Sequence, residues 1–140
     1  MRNAAGDVTC SADDNGDHEV TTWDWRGRPS TRTDSTSCTA TGSADVTWRY
    51  DGAAMPEAPR GRLRPENAQG QLTGVLDAAG GEELSYDELG RVIASRRWWT
   101  GTHEARLGYV YDDEGNLVEE SLGGGSRSAP RTARAGGWRP

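Results

Sequence analysis

A string of eight residues returns 25 positions later with its spacing intact. Ser85-Tyr86-Asp87-Glu88-Leu89-Gly90-Arg91-Val92 is followed by Val110-Tyr111-Asp112-Asp113-Glu114-Gly115-Asn116-Leu117. Both contain Tyr-Asp, two free positions, Gly, then Arg or Asn and an aliphatic residue. A looser copy, Trp23-Asp24-Trp25-Arg26-Gly27-Arg28-Pro29, replaces Tyr by Trp. Such a repeat constrains a chain strongly, because each unit must bury its surface against its neighbours.

The unit has a mechanical reading. Asp at the first position and Gly at the fourth is the preference of a type I turn. The Asp side chain takes the backbone N–H two residues on, which sets the turn locally. The Gly takes the left-handed conformation that closes a three-residue hairpin with a bulge. Asp87 with Gly90, Asp112 with Gly115 and Asp24 with Gly27 all fit. The flanks alternate as strands do, with Val46, Trp48 and Tyr50 on one face, Leu84 with Tyr86, and Leu107, Tyr109 and Tyr111. The expected fold is therefore all-β, built of antiparallel strands and hairpins.

Tyr-Asp-x-x-Gly-Arg/Asn-aliphatic, with a further Tyr two places upstream at Tyr109, resembles the YD repeat of Rhs proteins. The same repeat occurs in the encapsulating subunits of insecticidal toxin complexes and in teneurins. The resemblance covers residues 6–122 and is most specific at 86–92 and 109–117. Trp23, Asp24, Gly27, Arg28, Tyr86, Asp87, Gly90, Arg91, Tyr109, Tyr111, Asp112, Gly115 and Asn116 carry it. It implies a β-sheet that spirals into a hollow shell, which in bacterial members encloses a C-terminal toxin. It implies secretion or a cell-surface location. Its implied partners are other YD repeats of a longer chain or a shell partner, together with a toxin cargo or a cell-surface glycan or protein. These repeats are structural and bring no catalytic residues or cofactor.

The family's aspartyl self-cleavage region has no counterpart, since no Asp-Pro pair occurs, and no toxin domain follows Leu122. Five to eight strands cannot close a shell and leave both sheet edges open. The chain thus reads as an open partial shell: a truncated gene product, an orphan cassette, or a piece that docks on a longer partner. Marginal stability in isolation follows.

Composition agrees with strands and turns. Only 33% of the 140 residues are hydrophobic, Phe is absent and 19 are Gly, which lies near the border with disorder. A sheet with one wet face needs fewer apolar residues than a helical core. Residues 1–122 hold all 22 acids against 12 arginines, a balance of −10, and residues 123–140 hold four arginines and no acid. An acidic body argues against nucleic acid, which requires a basic stripe. Every cation is Arg, which reads as a GC-rich genome. No apolar run approaches a membrane span, and the first six residues lack the apolar stretch of a signal peptide.

Taken in order, Asn3 to Thr9 looks like the middle of a repeat, a turn followed by a strand. Asp13-Asp14-Asn15-Gly16-Asp17 is a solvated turn; a calcium loop there would need a later acidic ligand and flanking helices. His18–Trp23 is a strand. Residues 29–45 are rich in Ser and Thr and read as a polar edge strand with a turn, or as a linker. Residues 46–51 form a clear strand ending in Tyr50-Asp51, where Gly52 follows Asp directly and demands another turn. Pro56, Pro59 and Pro65 exclude a central strand, and Gly61-Arg62-Leu63 resembles the second half of a repeat with an expanded turn. Residues 70–75, 82–86, 92–99, 105–111 and 117–122 are further strands, with 77–81 as a turn. Two domains follow: a repeat region at 1–122 and a disordered Gly/Arg/Pro-rich tail at 123–140. A slipped reading frame or a basic tail for an acidic surface would explain the tail.

Three chemistries remain. Cys10 and Cys38 flank the Trp23-Asp24 hairpin and form either a disulfide or two free thiols. No Cys pair has zinc spacing, and His18 and His103 lack ligand-spaced partners, so no metal is expected. An adhesin-like sheet binding carbohydrate or protein would need Trp23, Trp25, Trp98 or Trp99 exposed and coplanar, yet adjacent strand residues face apart. An enzyme is not expected, because nucleophile elbow, phosphate loop and opposed carboxylates are all missing.

Overall fold

Alternation of side chains along extended segments, punctuated by Asx-x-x-Gly turns, produces a meander. The computed structural model describes residues 1–39, 42–55, 58, 63–101 and 103–123. Among the described residues nine strands follow one another: β1 (Cys10–Ala12), β2 (His18–Trp23), β3 (Pro29–Ser35), β4 (Val46–Tyr50), β5 (Leu72–Asp77), β6 (Gly80–Tyr86), β7 (Val92–Trp99), β8 (Glu104–Tyr111) and β9 (Leu117–Leu122). They lie in one antiparallel sheet in chain order. No helix occurs among the described residues.

Three readings of the sequence need correction. The Ser/Thr-rich segment is no edge strand, because β3 lies between β2 and β4. Its Thr side chains suit that place: Thr22 on β2 bonds Ser30 and Thr31 across the pair at 2.7 and 2.6 Å. The turn expected at 77–81 is shorter, since Asp77 pairs with Gly80 and the two glycines belong to β6. They are strand glycines for a packing reason. A Cβ on Gly81 would lie 2.2 Å from Cζ2 of Trp98, and one on Gly80 would lie 2.0 Å from the Trp98 carbonyl oxygen. The sheet also exceeds the expected five to eight strands. The tail reading falls on residues 124–140, which lie outside the described residues, as do Gly61 and Arg62.

The pairing register places Glu83, Ser85, Ala94, Arg96, Trp98, Glu104, Arg106 and Gly108 on one face. The connection after β4 folds over it. Met55 is 2% exposed and packs on Gly74. The Leu63 N–H donates to Glu83 Oε2 at 2.9 Å and the Glu66 N–H to Ser85 Oγ at 3.0 Å. Beneath this cover sits Arg96, fully buried, within 3.3 Å of Glu83 Oε2 and 2.7 Å of Glu104 Oε2. The core therefore holds a satisfied ionic cluster where an ordinary sheet holds aliphatic side chains.

Candidate functional site

Five Asx-x-x-Gly turns share one geometry: 3–7, 13–17, 24–28, 87–91 and 112–116. In each, the first residue's N–H donates to the carbonyl of the fifth at 2.8–3.0 Å, and the Gly N–H donates to the first residue's carbonyl at 3.0–3.1 Å. The first side chain's Oδ1 accepts the N–H groups of the third and fifth residues, as at Asp24 (2.8 and 3.0 Å) and Asp87 (2.9 and 2.9 Å). Gly27, Gly90 and Gly115 have φ of 72°, 78° and 89°, which a side chain would strain. Asn3 does the same work as Asp, accepting from Ala5 and Asp7.

The fifth residue then clasps the first. Arg28 Nε donates to Asp24 Oδ2 at 2.8 Å, Arg91 Nε to Asp87 Oδ2 at 2.6 Å and Asn116 Nδ2 to Asp112 Oδ2 at 3.0 Å. Burial opposes the charge on Asp24 and Asp87, but hydrogen bonds from the backbone and guanidinium of Arg28 and Arg91 outweigh it and hold both carboxyls below the ordinary range. At Asp112 the Asn116 side chain is the main cause of a lowered pKa.

Tyr50-Asp51 belongs to the same series, although its turn is split. The Asp51 N–H donates to the Gln71 carbonyl at 3.1 Å, and Asp51 Oδ1 accepts the Gly70 N–H at 2.6 Å. Gln71 thus stands where Arg28 and Arg91 stand in their turns. The completing half is Gly70-Gln71-Leu72. The aromatic before each Asp sits at a register irregularity, found at Thr22/Trp23, Arg49/Tyr50, Ser85/Tyr86 and Val110/Tyr111.

These four turns, with 3–7, lie side by side at one end of the sheet and grip each other. The aromatic of one turn donates to the carbonyl just past the previous turn: Trp23 Nε1 to Val8 at 2.9 Å, Tyr86 Oη to Leu72, and Tyr111 Oη to Val92 at 2.7 Å. The Arg of one turn covers the aromatic of the next, with Arg28 4.2 Å from the Tyr50 ring and Arg91 4.6 Å from the Tyr111 ring. Arg28 also bonds Asp51 at 2.7 Å. That contact, more than the Gly70 N–H, lowers the Asp51 pKa to about 2. What the arrangement does is set the lateral spacing of hairpins. Tyr109 differs from the rest of its motif: it pairs with Glu120 inside β8 and takes no part in the turn.

Trp23, Trp25, Trp98 and Trp99 do not gather. Trp98 is buried against Gly81, while Trp99 is 43% exposed. Trp23 is tied to Val8, and Trp25 is exposed in the 24–28 turn with Arg26 over its ring at 4.6 Å. Trp25, in the turn between β2 and β3, and Trp99, at the far end of β7, lie at opposite ends of the sheet.

Near the N-terminus, Cys10 and Cys38 are joined by a disulfide with Cα atoms 5.5 Å apart. The bridge ties β1 to the segment after β3, over β2 between them. Linear spacing leaves His18 without a partner; the fold sets its ring beside both sulfurs, all within 4.8 Å. The buried Arg96 cluster was equally hidden in the sequence, where alternation marks Arg96 only as one residue of a strand.

Residues 67–103 match the family described as RHS Repeat. The match opens at Asn67 in the rejoined turn and runs through β5, β6, the 87–91 turn and β7. No curated protein matches the chain.

Proposed function

Residues 67–103 match an RHS repeat, and on that premise we propose that the chain is a stretch of RHS-repeat sheet that forms wall in a shell that encloses or presents a toxin or a surface-interaction domain. The carrying observation is the lateral row of turns. The turns at 24–28 and 87–91 each lay an Arg over the next aromatic, and the carbonyls of Val8, Leu72 and Val92 accept from the next aromatic in line, so the row defines a direction of growth. Asn116 and Leu117 hold the corresponding positions in the last described turn, and β9 is exposed throughout. The register irregularities all fall at the same end of the sheet. Bulges bend a strand and raise its twist, which favours a curved wall over a flat one. RHS-repeat proteins typically act outside the cell or at its surface, and a disulfide suits an oxidising setting. Among the described residues no helix is long and apolar enough to cross a membrane.

The test of the wall is extension. A variant in which residues 98–122 are repeated after Leu122 should pair a new strand with β9, slowing amide hydrogen exchange at alternate β9 positions. Unchanged exchange there would refute the lateral-growth reading. Enclosure is tested on the protein isolated from its own cells. A co-purifying domain that resists protease until the sheet is denatured supports it, and one cut equally fast before and after refutes it.

A further inference from the structure

The wall reading makes no use of His18 beside the Cys10–Cys38 bridge. Three elements converge there: β1 supplies Cys10, the first residue of β2 supplies His18, and the segment after β3 supplies Cys38. Their two sulfurs and an imidazole nitrogen lie within 4.8 Å of one another, with Cys10 only 4% exposed. The ring's Nδ1 is 2.9 Å from the Gly16 carbonyl oxygen. A carbonyl only accepts, so the proton belongs on Nδ1 and the lone pair on Nε2. Backbone-oriented imidazoles of this kind are characteristic of metal ligands. His18 also lines an open cleft of about 630 Å³ shared with Asp13, Asp17, Glu19 and Asp34, whose charge draws in cations.

We propose that Cys10, His18 and Cys38 are a zinc site in the reduced protein, mutually exclusive with the disulfide. A cellular dithiol reduces the bridge: its two hydrogens pass to the Cys10 and Cys38 sulfurs, the S–S bond breaks, and the dithiol leaves as its own disulfide. Zn²⁺ then replaces the two thiol protons, which go to solvent, and takes Nε2 of His18 as third ligand. Water or a cleft carboxylate completes the tetrahedron. Two thiolates and an imidazole favour zinc over calcium or magnesium. The consequence is that β1 stays tied across β2 in a reducing compartment, before oxidation supplies the covalent link.

The test uses the full chain, reduced with a phosphine under argon and titrated with Co²⁺ and then Zn²⁺. One equivalent of Co²⁺ should give thiolate-to-metal charge-transfer and tetrahedral d–d bands that Zn²⁺ abolishes, while the oxidised chain gives none. Cys10→Ser and Cys38→Ser should each weaken the charge-transfer band, and His18→Ala should weaken binding at least about tenfold. Circular dichroism is followed in parallel. If reduction unfolds the N-terminal strands and zinc restores them, the proposal stands. If reduced chain, folded or not, shows no such bands, or if His18→Ala binds as tightly as the parent, it is overturned.

Discussion

Gly81→Ala adds a methyl group where the Trp98 indole already lies. The added carbon would sit 2.2 Å from Cζ2 and 2.8 Å from Cε2 and Cη2 of a side chain that is 5% exposed. Gly81 itself has no left-handed φ, so the backbone accepts Ala and the whole penalty is packing. Overfilling of this kind costs about 1–3 kcal/mol. Against it, Ala lowers the entropy of the unfolded chain and returns about 0.4–1 kcal/mol. The net expected loss is about 1–2 kcal/mol. A second background isolates the cause. Trp98→Leu removes the six-membered ring that carries the clash, so Gly81→Ala in that background should be neutral or stabilising by up to about 1 kcal/mol. The coupling between the two positions is then about 2 kcal/mol, well above the few tenths found for independent sites. Urea unfolding of the four proteins, followed by far-ultraviolet circular dichroism, measures it. Equal losses on adding Ala in both backgrounds would refute the claim that Gly81 exists to seat Trp98.

Four further outcomes follow from the structure. Arg96→Met should cost about 3–5 kcal/mol in the same urea assay, because Glu83 is left buried without its cation; a loss under 1 kcal/mol would show that the cluster is wet. Asp87→Asn keeps the Oδ1 acceptor of the turn but sets an amide NH2 against the Arg91 Nε–H and loses the clasp, whereas Asp87→Ala also forfeits the two backbone hydrogen bonds and should cost about 1–2 kcal/mol more; equal effects would refute the role of Oδ1 in the turn. The Asp51 carboxyl is held at about 2 against an ordinary 3.8, so its stabilisation is complete above about pH 4 and lost as pH falls through about 2. Thermal melts from pH 6 to 2 should therefore fall less steeply for Asp51→Asn than for the parent, and parallel curves would exclude the linkage. Reducing the disulfide, which closes a separation of 28 residues, should cost about 3–4 kcal/mol in metal-free buffer by loop-closure entropy, read as a lower urea midpoint; an unchanged midpoint would mean that the first strands unfold separately.

What was legible in the sequence was what is decided within five residues. Asp87, Gly90 and Arg91 build their turn from their own atoms, so the motif foretells the hairpin, and the strands on either side inherit its register. Features decided by distant partners were not legible. Asp51 looked like a departure from the repeat because its Gly and Gln stand at 70 and 71. Gly80 and Gly81 looked like turn residues because the Trp98 that requires them lies on the neighbouring strand. Arg96 carried no sign of burial, since the loop that covers it is joined to a different hairpin. His18 gained its neighbours only when β1 and the segment after β3 met around β2.

The split turn bears on how such a sheet is altered over time. Closing at Asp51, Gly70 and Gln71, it spans 20 positions where its siblings span four, yet makes the same backbone bond from the first residue to the last, with the Asp51 carboxylate taking the Gly70 N–H. Loop closure grows only logarithmically with length, so the longer excursion costs roughly 1–2 kcal/mol more. Its cover over β6 offsets that cost. The register of the sheet is therefore indifferent to how much polypeptide passes between the two halves of a clasp. Each turn along this end is a position where a new segment can be spliced in without disturbing the count of strands, and selection can work on the inserted material while the scaffold stays in step.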